Sequence, residues 1–224
     1  MELPDLPSVF APLALREGGD AMARAAALAS ARGAGLLAWV RSAARAEAAV
    51  VLEPEMPLAG ARLALLAAAN ALADALGVLG PPEAIIGLRW PAEVLVNGGR
   101  VGGLRLAVAP GASESEVPDW LVVGFEVALA PPPGTEPGDV PDRTCLEEEG
   151  FEAPSAAELV AAWARHLMAG LDRWQSGGPR RLVEDCLARL EDGRAEAGLR
   201  RGIDPASGAL VLERNGTRQL VPLA

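Results

Sequence analysis

The sequence predicts an α+β fold in which a mixed or antiparallel sheet carries helices packed on it. Candidate strands are concentrated in the middle of the chain, candidate helices lie mainly before and after them, and no strand–helix alternation repeats along the sequence. The chain has 224 residues, half of them hydrophobic, which suits one domain with a small appendage. We therefore expect a main domain over residues 1–177 and a small appendage with a helix and β-strands over residues 178–224.

The first third of the chain contains the patterns of two helices and two buried strands. Residues 20–31 are rich in alanine, and residues 59–76 carry apolar side chains at helical spacing before Gly77. Between these segments, residues 35–40 and 48–52 are short apolar runs, which indicate buried strands.

A β-hairpin is predicted in the middle of the chain. Strand patterns cover residues 85–90, 93–96 and 100–108. Asn97 and Gly98 separate the last two patterns, and this dipeptide is typical of a tight hairpin turn because both central residues of such a turn need positive φ.

The remaining residues predict the following elements in order: a strand over 120–129, a proline-rich loop over 131–142, an amphipathic helix over 156–174, a boundary at Gly177-Gly178, a helix over 179–190, and short strands around Leu210 and Leu220. The proline-rich loop is expected to act as a connector, or as a lid if it lies beside a site.

The charge and the polar composition exclude several classes of function. All 20 basic residues are arginines, and the formal net charge is −10, so we expect neither a nucleic-acid partner nor an anionic membrane partner. Cys145, Cys186 and the single histidine, His166, are too few and too scattered for a disulfide framework or a metal site. We expect both thiols to be buried or incidental and His166 to be structural.

The apolar segments of the chain predict a soluble protein. The N-terminus lacks the basic and then apolar pattern of a secretory signal, and residues 63–73, the most apolar segment, are too short to span a bilayer. We therefore expect a cytoplasmic location.

Two arginines and two glycines of the hairpin form a candidate anion site. Arg89 and Arg100 are expected near one end of the sheet, and Gly102 and Gly103 leave room for a ligand or for another part of the backbone. The alternative is an exposed hairpin whose arginines form salt bridges and whose glycines only serve a bulge.

The hairpin also resembles a known family. Residues 89–93, Arg-Trp-Pro-Ala-Glu, and residues 97–104, Asn-Gly-Gly-Arg-Val-Gly-Gly-Leu, are similar to the central signature of the biotin/lipoate protein ligase family. That signature reads Lys-Trp-Pro-Asn-Asp, a strand and a turn, and then Lys-[Leu/Val]-[Ala/Gly]-Gly-Ile. Residues 122–127, 144–150, 159–174 and 202–210 resemble further family segments in the same order, so the resemblance covers most of the chain.

The resemblance implies the fold of the ligase catalytic domain with a reduced C-terminal β-domain. Active members form an acyl-adenylate from biotin or lipoate and ATP, and then pass the acyl group to a lysine of a carrier domain. By position, the resemblance implies a ligand site made of Arg89, Trp90, Arg100, Gly102, Gly103 and Glu126.

The chain departs from the family where the chemistry is done. The family's flexible Gly-Arg-Gly-Arg-x-Gly-Arg loop corresponds to residues 40–47, which are short and contain no glycine. Arg89 and Arg100 stand at the positions of the two signature lysines, and Glu126 stands at the position of a later asparagine. Arginine can bind a negatively charged group, but it does not transfer protons near neutral pH. Related octanoyl transferases pair a cysteine with a lysine, and this chain has no lysine.

The sequence supports three hypotheses. The first is a ligase-like protein without adenylating activity that binds a small carboxylate such as biotin, lipoate or a fatty-acid relative and uses no cofactor. The second is a divergent acyltransferase or ligase with a rewired site, for which an ATP-like ligand and an acyl-carrier, biotinyl or lipoyl domain are the implied partners. The third is a protein–protein interaction module on the same fold.

Overall fold

The computed structural model describes residues 3–4, 6–132, 134, 140, 142–192, 194 and 196–223. The strands are β1 (Ala11–Leu15), β2 (Leu36–Val40), β3 (Arg45–Leu52), β4 (Ile86–Arg89), β5 (Glu93–Val96), β6 (Gly99–Val108), β7 (Leu121–Ala128), β8 (Arg200–Ile203), β9 (Leu210–Arg214) and β10 (Thr217–Val221). The helices are α1 (Ala21–Arg32), α2 (Leu58–Ala61), α3 (Ala64–Leu79), α4 (Ala156–Gly177) and α5 (Arg180–Arg189).

A mixed seven-stranded sheet forms the centre of the fold. The strand order is β1-β2-β3-β7-β6-β5-β4, and β1 pairs parallel to β2 while the other neighbours pair antiparallel. The C-terminal residues form a separate antiparallel sheet in the order β10-β9-β8. The predicted α+β class, with its mixed sheet and small C-terminal β-structure, is confirmed.

The two faces of the large sheet are covered unequally. Helices α3 and α4 pack on one face, where Trp163 meets Phe125 edge to face at 4.9 Å between ring centroids and donates a hydrogen bond to Ala68 O at 3.1 Å. Helix α1 packs on the other face, against the alanines and valines of β3 and β7. One helix covers only part of a seven-stranded face, so one end of the sheet stays open on this side.

Some element boundaries differ from those predicted. Strand β1 was not predicted, because its half-exposed residues show no clear alternation and its pairing depends on β2. Strand β3 begins at Arg45 rather than at residue 48. Helix α3 continues through Gly77 and is capped at Gly80, whose N–H donates to Leu76 O at 2.8 Å. Much of the predicted loop 131–142 lies outside the described residues.

The length argument against a membrane span was wrong. The helical segment 58–79 has 22 residues and a mean hydropathy of 1.5 over its most apolar window, which is enough to cross a bilayer by composition alone. However, 72% of that window is buried inside the protein. The segment, which contains α2 and α3, therefore belongs to the core of a globular domain.

The C-terminal residues dock on the main domain through polar contacts with α3. Arg189 contacts Asp74 at 2.5 Å and Asn70 Oδ1 at 3.0 Å, and Asn70 in turn donates to Leu182 O at 3.0 Å. Asn70 is only 8% exposed, so these bonds satisfy a polar side chain on an otherwise apolar helix. The proposed division at residue 177 stays a prediction.

The predicted hairpin is formed by β5 and β6. Asn97 and Gly98 occupy its turn with φ of 49° and 88°, as the tight turn requires. The pairing shifts between Val94 and Leu95, which is the mark of a bulge in β6. At this shift a Cβ on Gly102 would lie 1.9 Å from the carbonyl oxygen of Glu126.

Replacing Gly102 should therefore destabilise the protein. The clash is with backbone, which cannot rotate away, so we expect G102A to lower the free energy of unfolding by about 3 kcal/mol. Gly77 is the matched control, because nothing lies within 4 Å of a Cβ built there and the site is helical. G77A should raise stability by about 0.5–1 kcal/mol in the same urea titration. Equal midpoints for the two variants would contradict the bulge geometry.

Candidate functional site

An open cleft of about 630 Å³ lies on the uncovered end of the sheet. Its floor comes from β3, β5, β6 and β7, where the register places Glu93, Gly103, Glu126 and Glu47 side by side on one face. Its charged lining residues are Arg45, Arg100, Arg105, Arg143, Glu93 and Glu126. The lining therefore carries more positive than negative side chains in a protein whose net charge is −10.

Arg100 is the cleft cation with an unsatisfied donor. Its Nε lies 3.3 Å from Glu93 Oε1, yet the approach lacks hydrogen-bond geometry, and this buried Nε has no hydrogen-bond partner in the described part of the chain. Arg89 contacts the other oxygen of Glu93 at 3.2 Å. Glu93 thus lies between two guanidinium groups, as the salt-bridge alternative predicts, while the side chain of Arg100 is 36% exposed and lines the cleft.

Both glycines of the predicted site are explained by close approach of the backbone. Gly102 faces Glu126 O, and a Cβ on Gly103 would lie 2.9 Å from Ala92 O. The same Ala92 O accepts a hydrogen bond from Leu104 N at 2.8 Å. Gly102 and Gly103 line the cleft, but the reason for glycine there is packing of the main chain.

The predicted site residues separate into two groups. Arg100, Gly102, Gly103 and Glu126 line the cleft, whereas Arg89 and Trp90 do not. The backbone N–H of Trp90 donates to Asp192 at 2.7 Å and its indole Nε1 donates to Pro222 O at 2.9 Å. In this structure Trp90 therefore joins the hairpin to the C-terminal residues.

A group of ion pairs around the buried carboxylate of Glu47 closes the end of the cleft near α1. Glu47, only 3% exposed, accepts a hydrogen bond from Ala21 N at 2.7 Å and one from Arg45 Nε at 3.0 Å. The carboxylate thus caps the first amide of α1, where negative charge is favourable. Arg105 lies 3.9 Å from both Glu47 and Asp20, so its guanidinium is held only loosely.

The side chain of Ser42 organises the short turn between β2 and β3. Ser42 Oγ accepts hydrogen bonds from Ala44 N at 3.1 Å and Arg45 N at 3.3 Å, and donates to Glu17 at 3.1 Å. Ser42 is 3% exposed. These backbone amides are therefore already occupied and do not face the cleft as free donors.

Arg45, Arg105 and Arg143 were not predicted as site residues. Arg105 stands two residues after Gly103 on β6 and so shares its face, a signal that alternation along the strand could have given. Arg45 reaches the cleft because it pairs with Ala128 of β7. Arg143 joins through its bridge with Arg100, a long-range pairing without a local sequence signal.

His166 lies outside the cleft, on α4. Its Nδ1 is 4.0 Å from an oxygen of Asp74, the residue that also binds Arg189. Within the described ranges, no group of three or more histidine, cysteine or acidic side chains is arranged to hold a metal ion. A supporting role for His166 fits this position.

The two cysteines should be unreactive in the folded protein. Cys145 and Cys186 are each 2% exposed. Burial raises the pKa of both thiols, that of Cys186 to about 12, so the thiolate is scarce near neutral pH. At pH 8 we expect no fast reaction with Ellman's reagent before guanidinium is added and two equivalents afterwards. Rapid labelling of the folded protein would contradict this assignment.

Comparison with known proteins identifies the family. The sequence profile of the biotin/lipoate A/B protein ligase family matches residues 6–188. The chain belongs to this family. A biotin–[acetyl-CoA-carboxylase] ligase of Paracoccus denitrificans is 35% identical over 199 residues, which are 83% of this chain and 81% of that protein. A second such ligase, from Mycobacterium tuberculosis, is 32% identical over 70% of this chain and 58% of its own length.

Solved structures of ligase-like proteins share the fold. A biotin protein ligase-like protein of unknown function from Silicibacter sp. TM1040 superposes with a TM-score of 0.85 at 31% identity, covering 98% of this chain and 96% of that one. The Aquifex aeolicus biotin protein ligase in complex with biotin and ATP superposes with a TM-score of 0.70 at 14% identity, covering 94% of this chain and 95% of that one. The predicted ligase-like fold is confirmed.

Proposed function

We propose that this member of the biotin/lipoate ligase family binds a small carboxylate in the cleft and does not form an acyl-adenylate from it. Biotin, lipoate and medium-chain fatty acids are the carboxylates to which the family resemblance points. Arg100 is the proposed main contact of the acid group.

The binding part of the proposal rests on the charge and geometry of the cleft. The side chain of Arg100 is 36% exposed and lines the cleft, and beside its buried Nε a guanidinium group has further N–H donors for a carboxylate. The side chain of Arg143 forms no hydrogen bond or ion pair with the described residues and lines the same cleft. A volume of about 630 Å³ accommodates a small organic acid.

The turn over residues 41–44 is the main observation against formation of an acyl-adenylate. Stabilising the triphosphate of ATP takes free backbone amides or mobile cations, and here the amides of Ala44 and Arg45 donate to the side chain of Ser42. The chain also has no lysine whose mobile ammonium group could stabilise the charge that develops as the carboxylate attacks phosphorus.

A rewired ligase or acyltransferase is the second candidate. It is favoured by the 35% identity to a Paracoccus denitrificans protein named as a biotin ligase. In that case ATP would bind beside the carboxylate, with Arg45, Arg105 and Arg143 around its phosphates, and an acyl-carrier, biotinyl or lipoyl domain would be the acceptor.

A ligand screen tests the proposal. Thermal shift and calorimetry with biotin, lipoate, octanoate and ATP should give stabilisation by at least one carboxylate without ATP. Binding that requires ATP together with the carboxylate would favour the second candidate. No binding of any carboxylate, with or without ATP, would exclude the proposed function.

A further inference from the structure

We propose that Glu126 selects ligands that carry an ammonium or other N–H donor at a distance from the carboxylate that Arg100 holds. This inference rests on the proposed function, because it adds a second contact to the same cleft. The expected ligand is thus an amino- or amido-substituted carboxylic acid rather than a plain fatty acid.

Glu126 is the cleft carboxylate without a partner. Two other acidic residues lie in the same cross-strand row. Glu47 is held by Arg45 and Ala21 N, and Glu93 contacts Arg89 and Arg100. Glu126 is exposed in the cleft and forms neither a hydrogen bond nor an ion pair through its side chain with the described residues. An ionised carboxylate only accepts hydrogen bonds, so its natural complement is a donor.

The surroundings of Glu126 place it within reach of a ligand. Its cross-strand neighbour on β6 is Gly103, which contributes no side chain, and Ala92 O adds another acceptor next to that glycine. A ligand that lies over Gly103 therefore meets the guanidinium group of Arg100 at one end and the carboxylate of Glu126 at the other. A plain hydrocarbon chain would leave the carboxylate of Glu126 unpaired beside it.

The spacing suits a ligand of about six carbons. Glu93, which Arg100 contacts, and Glu126 pair with Gly103 from opposite sides, so their strands lie two interstrand spacings apart, about 10 Å. An acid group on Arg100 and a donor on Glu126 would then be separated by several methylene groups. The probe pair hexanoate and 6-aminohexanoate differs only in the terminal ammonium.

Calorimetry with this probe pair tests the inference. We expect the wild type to bind 6-aminohexanoate about tenfold more tightly than hexanoate. E126Q should reduce that ratio to about one while it binds hexanoate no more weakly than the wild type does. E55Q removes the same charge from an exposed residue beyond the opposite end of β3 and should keep the wild-type ratio.

The outcomes separate the two proposals. If hexanoate binds and R100A weakens it, but the ammonium gives no advantage, then Glu126 pairs with a cleft arginine in solution and this inference is wrong while the proposed function stands. A tenfold advantage that persists in E126Q would also overturn the inference. If neither probe binds, and biotin, lipoate and octanoate also fail, the proposed function itself fails.

Discussion

Incubation of this protein with ATP, magnesium and biotin or lipoate should release no pyrophosphate above the protein-free background. Adenylation moves negative charge onto the bridging oxygen as the carboxylate attacks, and preorganised donors at that position are each worth about 10²–10³ in rate. The amides of Ala44 and Arg45 are bonded to Ser42, and the chain has no lysine, so at least two such donors are missing. The expected loss is about 10⁴–10⁶ in rate, which lies below detection in a coupled assay at micromolar protein.

The Aquifex aeolicus biotin protein ligase supplies the positive control for this assay. R100K is a second control, because it restores the lysine type at one position without freeing the amides of the turn. We expect R100K to remain inactive. Carboxylate-dependent pyrophosphate release by the wild type would make this chain a rewired ligase, with the cleft arginines in place of the family's lysines and loop amides.

Local sequence chemistry predicted the parts of the fold that depend on local interactions. The turn at Asn97 and Gly98 was predictable because few dipeptides tolerate positive φ at both positions. Helix α4 was predictable because its apolar stripe persists over many turns. Strand β1 was not predicted, because its pairing energy comes from β2, more than twenty residues away in sequence.

The candidate site was predictable only in part for a related reason. The sequence indicated that Gly102 had to be glycine, but a ligand and a carbonyl of β7 exclude a Cβ equally well. Arg45 and Arg105 lie on opposite sides of β7, so their common face depends on a register that single-sequence patterns do not fix. Trp90 was placed in the site by its position in a motif, while its indole bonds the C-terminal residues instead.

Arg100 is expected to carry most of the affinity for the carboxylate group. Its guanidinium can form a charge-assisted pair in a partly dry cleft, and such a bond contributes about 1.5–3 kcal/mol. R100A should therefore raise the dissociation constant of the tightest carboxylate found in the screen by roughly ten- to a hundredfold. R100K should keep most of the affinity if charge alone matters, and should lose much of it if the planar fork is required.

Glu93 provides a second test of the same contact, because its carboxylate competes with the ligand for Arg100. The contact at 3.3 Å is partly exposed and is worth about 0–1 kcal/mol, so E93Q should tighten carboxylate binding by up to about fivefold. R89A is the matched control, since Arg89 contacts the same carboxylate from outside the cleft and should change the affinity little. Calorimetry on the four variants, each with a wild-type thermal midpoint, decides the matter. Weaker binding in E93Q, or equal affinities in R100A and the wild type, would mean that the acid group binds elsewhere in the cleft.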